Sequence, residues 1–424
     1  MKIISFNKVI RVFRMNFKVF LFLSSLVISL SFFVLQDHLV RLTNIEISRQ
    51  IGQLNEQGMY DLGDYTGPVH NLIHSKSLKF DKGILHRAPP GYPLLLYSLS
   101  IISRIFNVEL PYALFLFAAF FIACTTVIIG CIVYLFYESK KFAVIGGLLY
   151  ATHPYILQGI TKVMSLTPFM TFFYLSLFVY FYFLLRRPAT IIYPIVIGFL
   201  LGISMLIHPI SLLLPLILAT LIFVYMKDLK FFKKFIIFSM IILSSLLTIL
   251  PWQLFNYFNG EKIILSTHGL HTIIDGVTIN NSEKKYYLDL PADVDALAKR
   301  LSTSQTASMP DYFRLTYFEF LNSPVTVLKL LTIKAARSWY GVVSQDAKKE
   351  LMKLLILGLY AILFCLALLK IDFRKKEWFV LGMTSAVLIF YFWTANIIGV
   401  SIARYMYPIF GLATVFIPAI WYKQ

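Results

Sequence analysis

Charge is scarce in this chain. Only 14% of its 424 residues are Asp, Glu, Lys or Arg, against 58% that are hydrophobic, and the mean hydropathy is +0.74. That excludes a water-soluble globular protein, because no soluble core absorbs so much apolar length; the composition is that of a polytopic membrane protein. Cysteine is also rare. The three present, Cys124, Cys131 and Cys365, all lie inside apolar runs, where a thiol behaves as a small hydrophobe, so neither a disulfide framework nor a zinc site is indicated. No glycine-rich phosphate loop, dinucleotide fingerprint or Gly-x-Ser-x-Gly elbow occurs in suitable context, and P-loop, Rossmann and serine-hydrolase chemistry lose their footing. Acids are outnumbered, with 21 Asp and Glu against 39 Lys and Arg, for a net charge of +18. In a membrane protein such an excess gathers on the cytoplasmic side and against anionic headgroups, so it points to membrane lipid and not to nucleic acid.

Apolar length is what the chain has in abundance. Runs of roughly the 17 to 25 residues that cross a bilayer are Val19 to Leu35, Leu114 to Tyr137, Phe142 to Leu157, Leu166 to Leu185, Ile191 to Leu206, Ile210 to Tyr225, Phe235 to Leu250, Leu351 to Leu369, Trp378 to Ile398 and Tyr405 to Tyr422. The first follows Lys2, Lys8, Arg11, Arg14 and Lys18 but is long for a signal core and has no small-x-small cleavage site, so it is expected to remain as a span.

An eleventh run, Tyr92 to Phe106, is decided by charge. The turns after the second, fourth, sixth and eighth runs carry Lys140 and Lys141, Arg186 and Arg187, Lys227 to Lys234, and Lys370 to Lys376. Ten spans and a cytoplasmic N-terminus put every cluster inside, as the positive-inside rule requires; counting Tyr92 to Phe106 as a crossing would put all four outside. That segment is therefore expected in the outer interface, with Arg104 near its end. It follows Pro89 and Pro90, which remove two backbone donors and disfavour helix in the residues before them, so the chain arrives extended and turns helical only after Gly91.

The expected fold class is an all-α polytopic membrane protein, with about ten transmembrane helices and further helices lying on the outer face. It forms one domain over residues 1–424, with outer loops 36–111 and 251–350 and both termini cytoplasmic. In the first loop Ile47, Ile51 and Leu54 form one stripe of an amphipathic helix. The second holds Pro291 to Leu301, Pro310 to Leu321, and Ser323 to Trp339 with Ser323 as N-cap and Pro324 in the first turn, all expected to lie on the membrane surface.

Cations stand where positive-inside predicts few. The three short outer turns carry Lys162, His208 and Arg404; with Arg87 they would ring the outer surface and suit a phosphate or pyrophosphate on a lipid. Each could equally cap a helix or snorkel to water, and His208, before Pro209, has the position of a turn residue. Tyr405 stands beside Arg404, and His86 beside Arg87. Acids come from the first loop, chiefly Asp37 and Glu46. A glycosyl transfer needs a carboxylate to take the acceptor's proton or to hold a metal near the anomeric carbon. Glu46 suits that role, or pairing with Arg49 on its own helix.

At these residues the chain resembles a family, the C-type membrane glycosyltransferases, particularly bacterial relatives of protein O-mannosyltransferases and of lipid A aminoarabinose transferases. The resemblance runs through Ile51 to Tyr60 (IGQLNEQGMY), His86 to Leu99 (HRAPPGYPLLLYSL), Gly198 to Pro209 (GFLLGISMLIHP), Pro251-Trp252 with Asn256-Tyr257, and Arg404-Tyr405 through Pro408. It implies an inverting transfer of a sugar from a polyprenyl-phosphate donor to an envelope glycan, lipid or protein acceptor, at the outer face of a plasma membrane, the inner membrane of a bacterial envelope. Glu46 or Asp37 would be catalytic, or would ligate Mg or Mn where a divalent cation serves as cofactor. Arg87, His86, Lys162, His208, Arg404 and Tyr405 would bind substrate. The chain departs from the family pattern in that the usual catalytic aspartate falls at Thr43 or Asn44, a usual glutamate at Leu166, usual arginines at His208 and Phe255, and an acid at His86. A flippase or transporter of lipid-linked saccharide would want the same cations, though transporters favour midplane charges and internal repeats, and neither is visible here. A non-catalytic relative is the other alternative.

Overall fold

The computed structural model describes residues 16–35, 68–69, 71–73, 89–161, 165–186, 190–259, 265–266, 273, 291–303, 309–340, 347–399, 401 and 403–422. Among these the chain is helical, with no strand. The helices are α1 (Phe17–Leu35), α2 (Gly91–Ile105), α3 (Leu110–Tyr137), α4 (Lys140–Ala151), α5 (Pro154–Thr161), α6 (Leu166–Arg186), α7 (Ile192–Ile207), α8 (Leu214–Tyr225), α9 (Phe231–Phe258), α10 (Ala292–Thr303), α11 (Met309–Asn322), α12 (Pro324–Tyr340), α13 (Ala347–Leu368), α14 (Lys376–Ile398) and α15 (Tyr407–Phe416). Four are long and apolar enough to cross a membrane, within α3, α6, α9 and α14, and shorter apolar helices accompany them. The protein is membrane-associated and helical. The chain divides into two compact units, one of Met1–Ser266, Ala367–Thr384 and Thr414–Gln424, the other of Thr267–Leu366 and Ser385–Ala413.

In the first unit the backbones approach closely wherever glycine lies on a facing surface. Gly198 and Gly202, four residues apart on α7, rest against the Ile241 and Ser245 carbonyls of α9, the small-xxx-small pattern that lets apolar helices touch. Polar side chains join neighbours within the apolar interior: Ser25 meets Thr126 at 3.1 Å, Thr125 meets Thr171 at 2.7 Å, and Tyr180 meets Thr384 at 3.1 Å. Such bonds replace water that the surroundings do not supply.

One end of this unit collects all four basic turns. Arg186 at the end of α6 bonds Glu138, after α3, at 2.8 Å. Tyr137 meets Trp378 edge-on at 4.9 Å and Tyr422 at 5.1 Å, and Tyr225 meets Phe379 at 6.2 Å. The common end is the arrangement that the parity of the basic clusters demands. Both partners of the Arg186–Glu138 pair are exposed, so Glu138→Ala is expected to change stability by only about 0–1 kcal/mol, checked by thermal melting in detergent.

The opposite end of this unit carries the start of α6 and the end of α7, and α2 begins against them. Phe169, in the first turn of α6, lies 5.6 Å from the His208 ring beyond α7. Gly91, which opens α2, packs so closely on the last turn of α7 that a Cβ there would stand 2.6 Å from the Leu206 carbonyl oxygen. After α2 the chain folds back on itself: Val108 N–H donates to Ser103 O and Ser103 Oγ donates to Val108 O, with Asn107 at φ 51°. It then enters α3, which runs from here to Tyr137 at the basic end. The start of α2 therefore packs on the last turn of α7, and its end turns directly into α3. The 15 residues of α2 would span only about 22 Å of a hydrocarbon layer about 30 Å thick.

Three boundaries differ from the sequence expectation. The third apolar run is two helices, because Pro154 disfavours helix in the residue before it and the His153 Nδ1 accepts the Tyr155 N–H at 3.3 Å, capping α5. The sixth run is broken likewise: a 3₁₀ turn, Pro209–Ser211, precedes α8. Pro251 does not end its run; α9 continues to Phe258. Past the proline, Trp252 donates from Nε1 to the Leu265 carbonyl at 3.0 Å and stacks on Phe255, and Asn256 is fully buried, so tertiary contacts hold the last turns helical. Residues 251–258, expected in the second loop, therefore belong to a helix.

In the second unit α10, α11 and α12 enclose a small core of Val294, Leu297, Ala298, Leu301, Tyr312, Val327 and Leu330. Arg300 bonds both carboxylate oxygens of Glu319, each at 3.0 Å, and Lys329 bonds Asp293 at 2.9 Å, tying the three helices at their edges.

Candidate functional site

The core-facing stripe of α12 runs Val327, Leu330, Lys334, Arg337, Ser338, spaced as one face of a helix. Its first two residues join the hydrophobic core. The next two are cations, 3% and 1% exposed. They lie where the second half of α12 meets the last turns of α14: Trp393 Nε1 donates to the Ala335 carbonyl at 3.0 Å, Asn396 Nδ2 to the Ser338 carbonyl at 3.4 Å, and Lys334 Nζ to the Ile398 carbonyl at 3.4 Å. Trp339 and Trp393 pack ring to ring at 6.1 Å. Beyond α14 the chain turns, with Ser401 Oγ donating to the Asn396 carbonyl at 3.0 Å. A 3₁₀ turn, Ala403–Met406, then packs against α12. That turn carries Arg404, whose guanidinium lies 5.1 Å over the Tyr405 ring and donates to its hydroxyl at 3.3 Å.

Two cations are buried together at this corner. Two cations one helical turn apart repel, and burying each removes it from water at a cost that only a well-placed anion or dipole offsets. The carbonyl end of α14 supplies part of that compensation to Lys334, through a single long bond. Burial pushes the Lys334 ammonium down to about 7. The unfolded chain keeps that proton to about pH 10.4, so between these values the unfolded state binds more protons and stability rises with pH. Thermal melts from pH 7 to 10 should show the rise, and Lys334→Met should show less of it.

No protein-family model matches this chain, and no curated protein matches it. Its candidate site therefore stands on geometry alone, and the residues that the sequence nominates distribute unevenly over it. Asp37, Glu46, His86, Arg87 and Lys162 lie outside the described residues, as does the amphipathic stripe of the first loop. His208 lies in the first unit and caps the 3₁₀ turn: its Nδ1 accepts the Ile210 N–H at 3.3 Å, its N–H donates to Ser204 O at 2.8 Å, and its carbonyl accepts the Ser211 hydroxyl at 2.8 Å. It does the turn-residue work that Pro209 implies, and His153 does the same before Pro154. Arg404 and Tyr405 fall in the second unit, on the turn that packs against the helix of Lys334 and Arg337. Among the described residues no group of three or more His, Cys, Asp or Glu gathers. Lys334 and Arg337 escape a sequence reading because α12 is expected to lie on the surface, where basic residues are ordinary. The signal is present all the same: both fall on the apolar stripe and not opposite it.

Proposed function

We propose that this chain is a membrane glycosyltransferase, moving a sugar from a polyprenyl-phosphate carrier to a glycan, lipid or protein acceptor of the cell envelope at the outer face. The observation that supports the reading is the buried Lys334–Arg337 pair beside the turn of Arg404. Paired cations with little water favour a phosphate, which accepts charge-assisted bonds from both. In the reaction, the acceptor's hydroxyl oxygen bonds to the anomeric carbon as the bond from that carbon to the phosphate oxygen breaks. The electron pair leaves with polyprenyl phosphate, and the configuration inverts. Negative charge grows on the leaving phosphate, so Lys334, Arg337 and Arg404 stabilise the transition state more than the bound donor. The hydroxyl proton needs a carboxylate to take it, and the sequence nominates Glu46 and Asp37 for that task. Those carboxylates would also hold a divalent cation where one is used.

The test is the full chain in lipid nanodiscs with a polyprenyl-phosphate sugar and envelope lipid acceptors. Release of polyprenyl phosphate that depends on acceptor supports the proposal. Normal carrier binding with no release, or movement of intact lipid-linked saccharide between leaflets, overturns it in favour of a carrier-binding or flipping role.

A further inference from the structure

The second unit leaves a broad apolar face uncovered. On α11, Phe313, Tyr317, Phe320 and Leu321 are 49%, 60%, 41% and 56% exposed, a run at i, i+4, i+7 and i+8 that defines one side of the helix. On α12, which follows after Ser323, Val325 and Leu328 are 64% and 54% exposed. These residues point away from the core that the opposite faces of the same helices build. Exposed apolar area on this scale marks a contact surface.

We infer that this face of α11 and α12 is seated in the interfacial zone of the lipid bilayer. Three observations identify lipid as the occupant. First, α12 is fastened by Trp393, Asn396 and Ile398 to the last turns of α14, a helix long and apolar enough to cross a membrane. The second half of α12 therefore lies at the level at which α14 ends. Secondly, the face is aromatic at its centre. Phe and Tyr supply area to the acyl boundary while the phenol reaches the headgroups. Thirdly, acids and bases are confined to the other sides or rim: Glu319 turns back to Arg300, Asp293 to Lys329, and Arg314 lies 5.7 Å over the Phe318 ring at the edge, where a cation meets anionic headgroups. A pair of helices held this way keeps the buried cation corner at the membrane surface, within reach of a lipid phosphate.

Nitroxide labels on Tyr317→Cys and Leu321→Cys, with Cys124, Cys131 and Cys365 replaced by alanine, test the inference in nanodiscs of phosphatidylethanolamine and phosphatidylglycerol. Collision rates with molecular oxygen and with a water-soluble nickel chelate report the depth of each label. Lys299→Cys, on the exposed side of α10, is the aqueous reference. Oxygen access several-fold above nickel access at 317 and 321, with the reverse at 299, is the expected result. Nickel access at 317 and 321 equal to that at 299 overturns it. So does protection from both agents together with spin–spin broadening between two labelled chains, which would make a second copy the occupant. Should the triple alanine background fail to fold, fluorescence of an environment-sensitive dye introduced at the same positions in the native background, with the native cysteines blocked, gives the same comparison.

Discussion

Lys334→Met should remain folded, melt at the same temperature or higher, and release polyprenyl phosphate from a sugar donor about 10²–10³-fold more slowly, the loss that follows removal of one donor to a developing oxyanion. The two halves of this expectation come from one fact, the burial of the side chain. Methionine keeps the stem's packing volume and removes a charge whose desolvation the fold must absorb, which is neutral or stabilising in comparable sites. If the charge exists to hold a leaving phosphate, the gain in stability comes with a loss of rate. Arg337→Met should slow release on the same scale, and Arg337→Lys should rescue little of that rate, because a planar fork that bonds two phosphate oxygens is not reproduced by a point charge. The competing account gives Lys334 a local task, closing the carbonyl end of α14 through its bond to Ile398. On that account Lys334→Met lowers the melting temperature and leaves the residual folded fraction as active as the native chain. A destabilised, fully active variant would therefore remove Lys334 from the mechanism.

The pH behaviour of the same residue gives that comparison a second axis. Phosphate binding favours the charged ammonium, whereas the free protein holds it near pH 7 at its midpoint. Donor affinity that depends on Lys334 should weaken by roughly tenfold per pH unit above that midpoint, while Lys334→Met, already weak, should show little of this dependence.

What is legible from sequence is whatever a one-dimensional pattern encodes. Apolar length marks where helices run, since few residues other than the basic turns interrupt it. The parity of Lys140, Arg186, Lys227 and Lys370 already implies a common end, and Tyr137, Trp378 and Tyr225 realise it. Proline defeats the pattern in both directions. Pro154 splits an apparent span because His153 caps the helix after it, while Pro251 is absorbed where Trp252 and Asn256 are buried and Trp252 bonds the Leu265 carbonyl. A single proline carries the same local penalty in either place, and only the tertiary surroundings decide. The cation corner is hidden for the same reason. A helix that is apolar along one stripe and basic within it resembles a surface helix until a partner such as α14 covers the stripe. Gly198 and Gly202 are visible as a motif, but their partner, the Ile241–Ser245 segment of α9, is not.

Gly91→Val should be the most damaging single substitution at the end of the first unit that carries α2. The position follows two prolines, so the chain enters it with little freedom to swing aside. A Cβ there would stand 2.6 Å from the Leu206 carbonyl oxygen and 3.1 Å from the Ile207 side chain. The obstacle is backbone, which cannot rotate away as a side-chain tip can. Overpacking in such a place costs about 1–3 kcal/mol, and the β-branch enlarges it, so α2 must lift from α7 or α7 must bend one turn before the His208 cap. Gly91→Ala is expected to show the same effect more weakly. The melting temperature in detergent should fall from the native chain to Gly91→Ala and again to Gly91→Val. If Gly91→Val melts like the native chain, then α2 is not held against α7, and the interfacial placement expected for Tyr92 to Phe106 would lose its structural support.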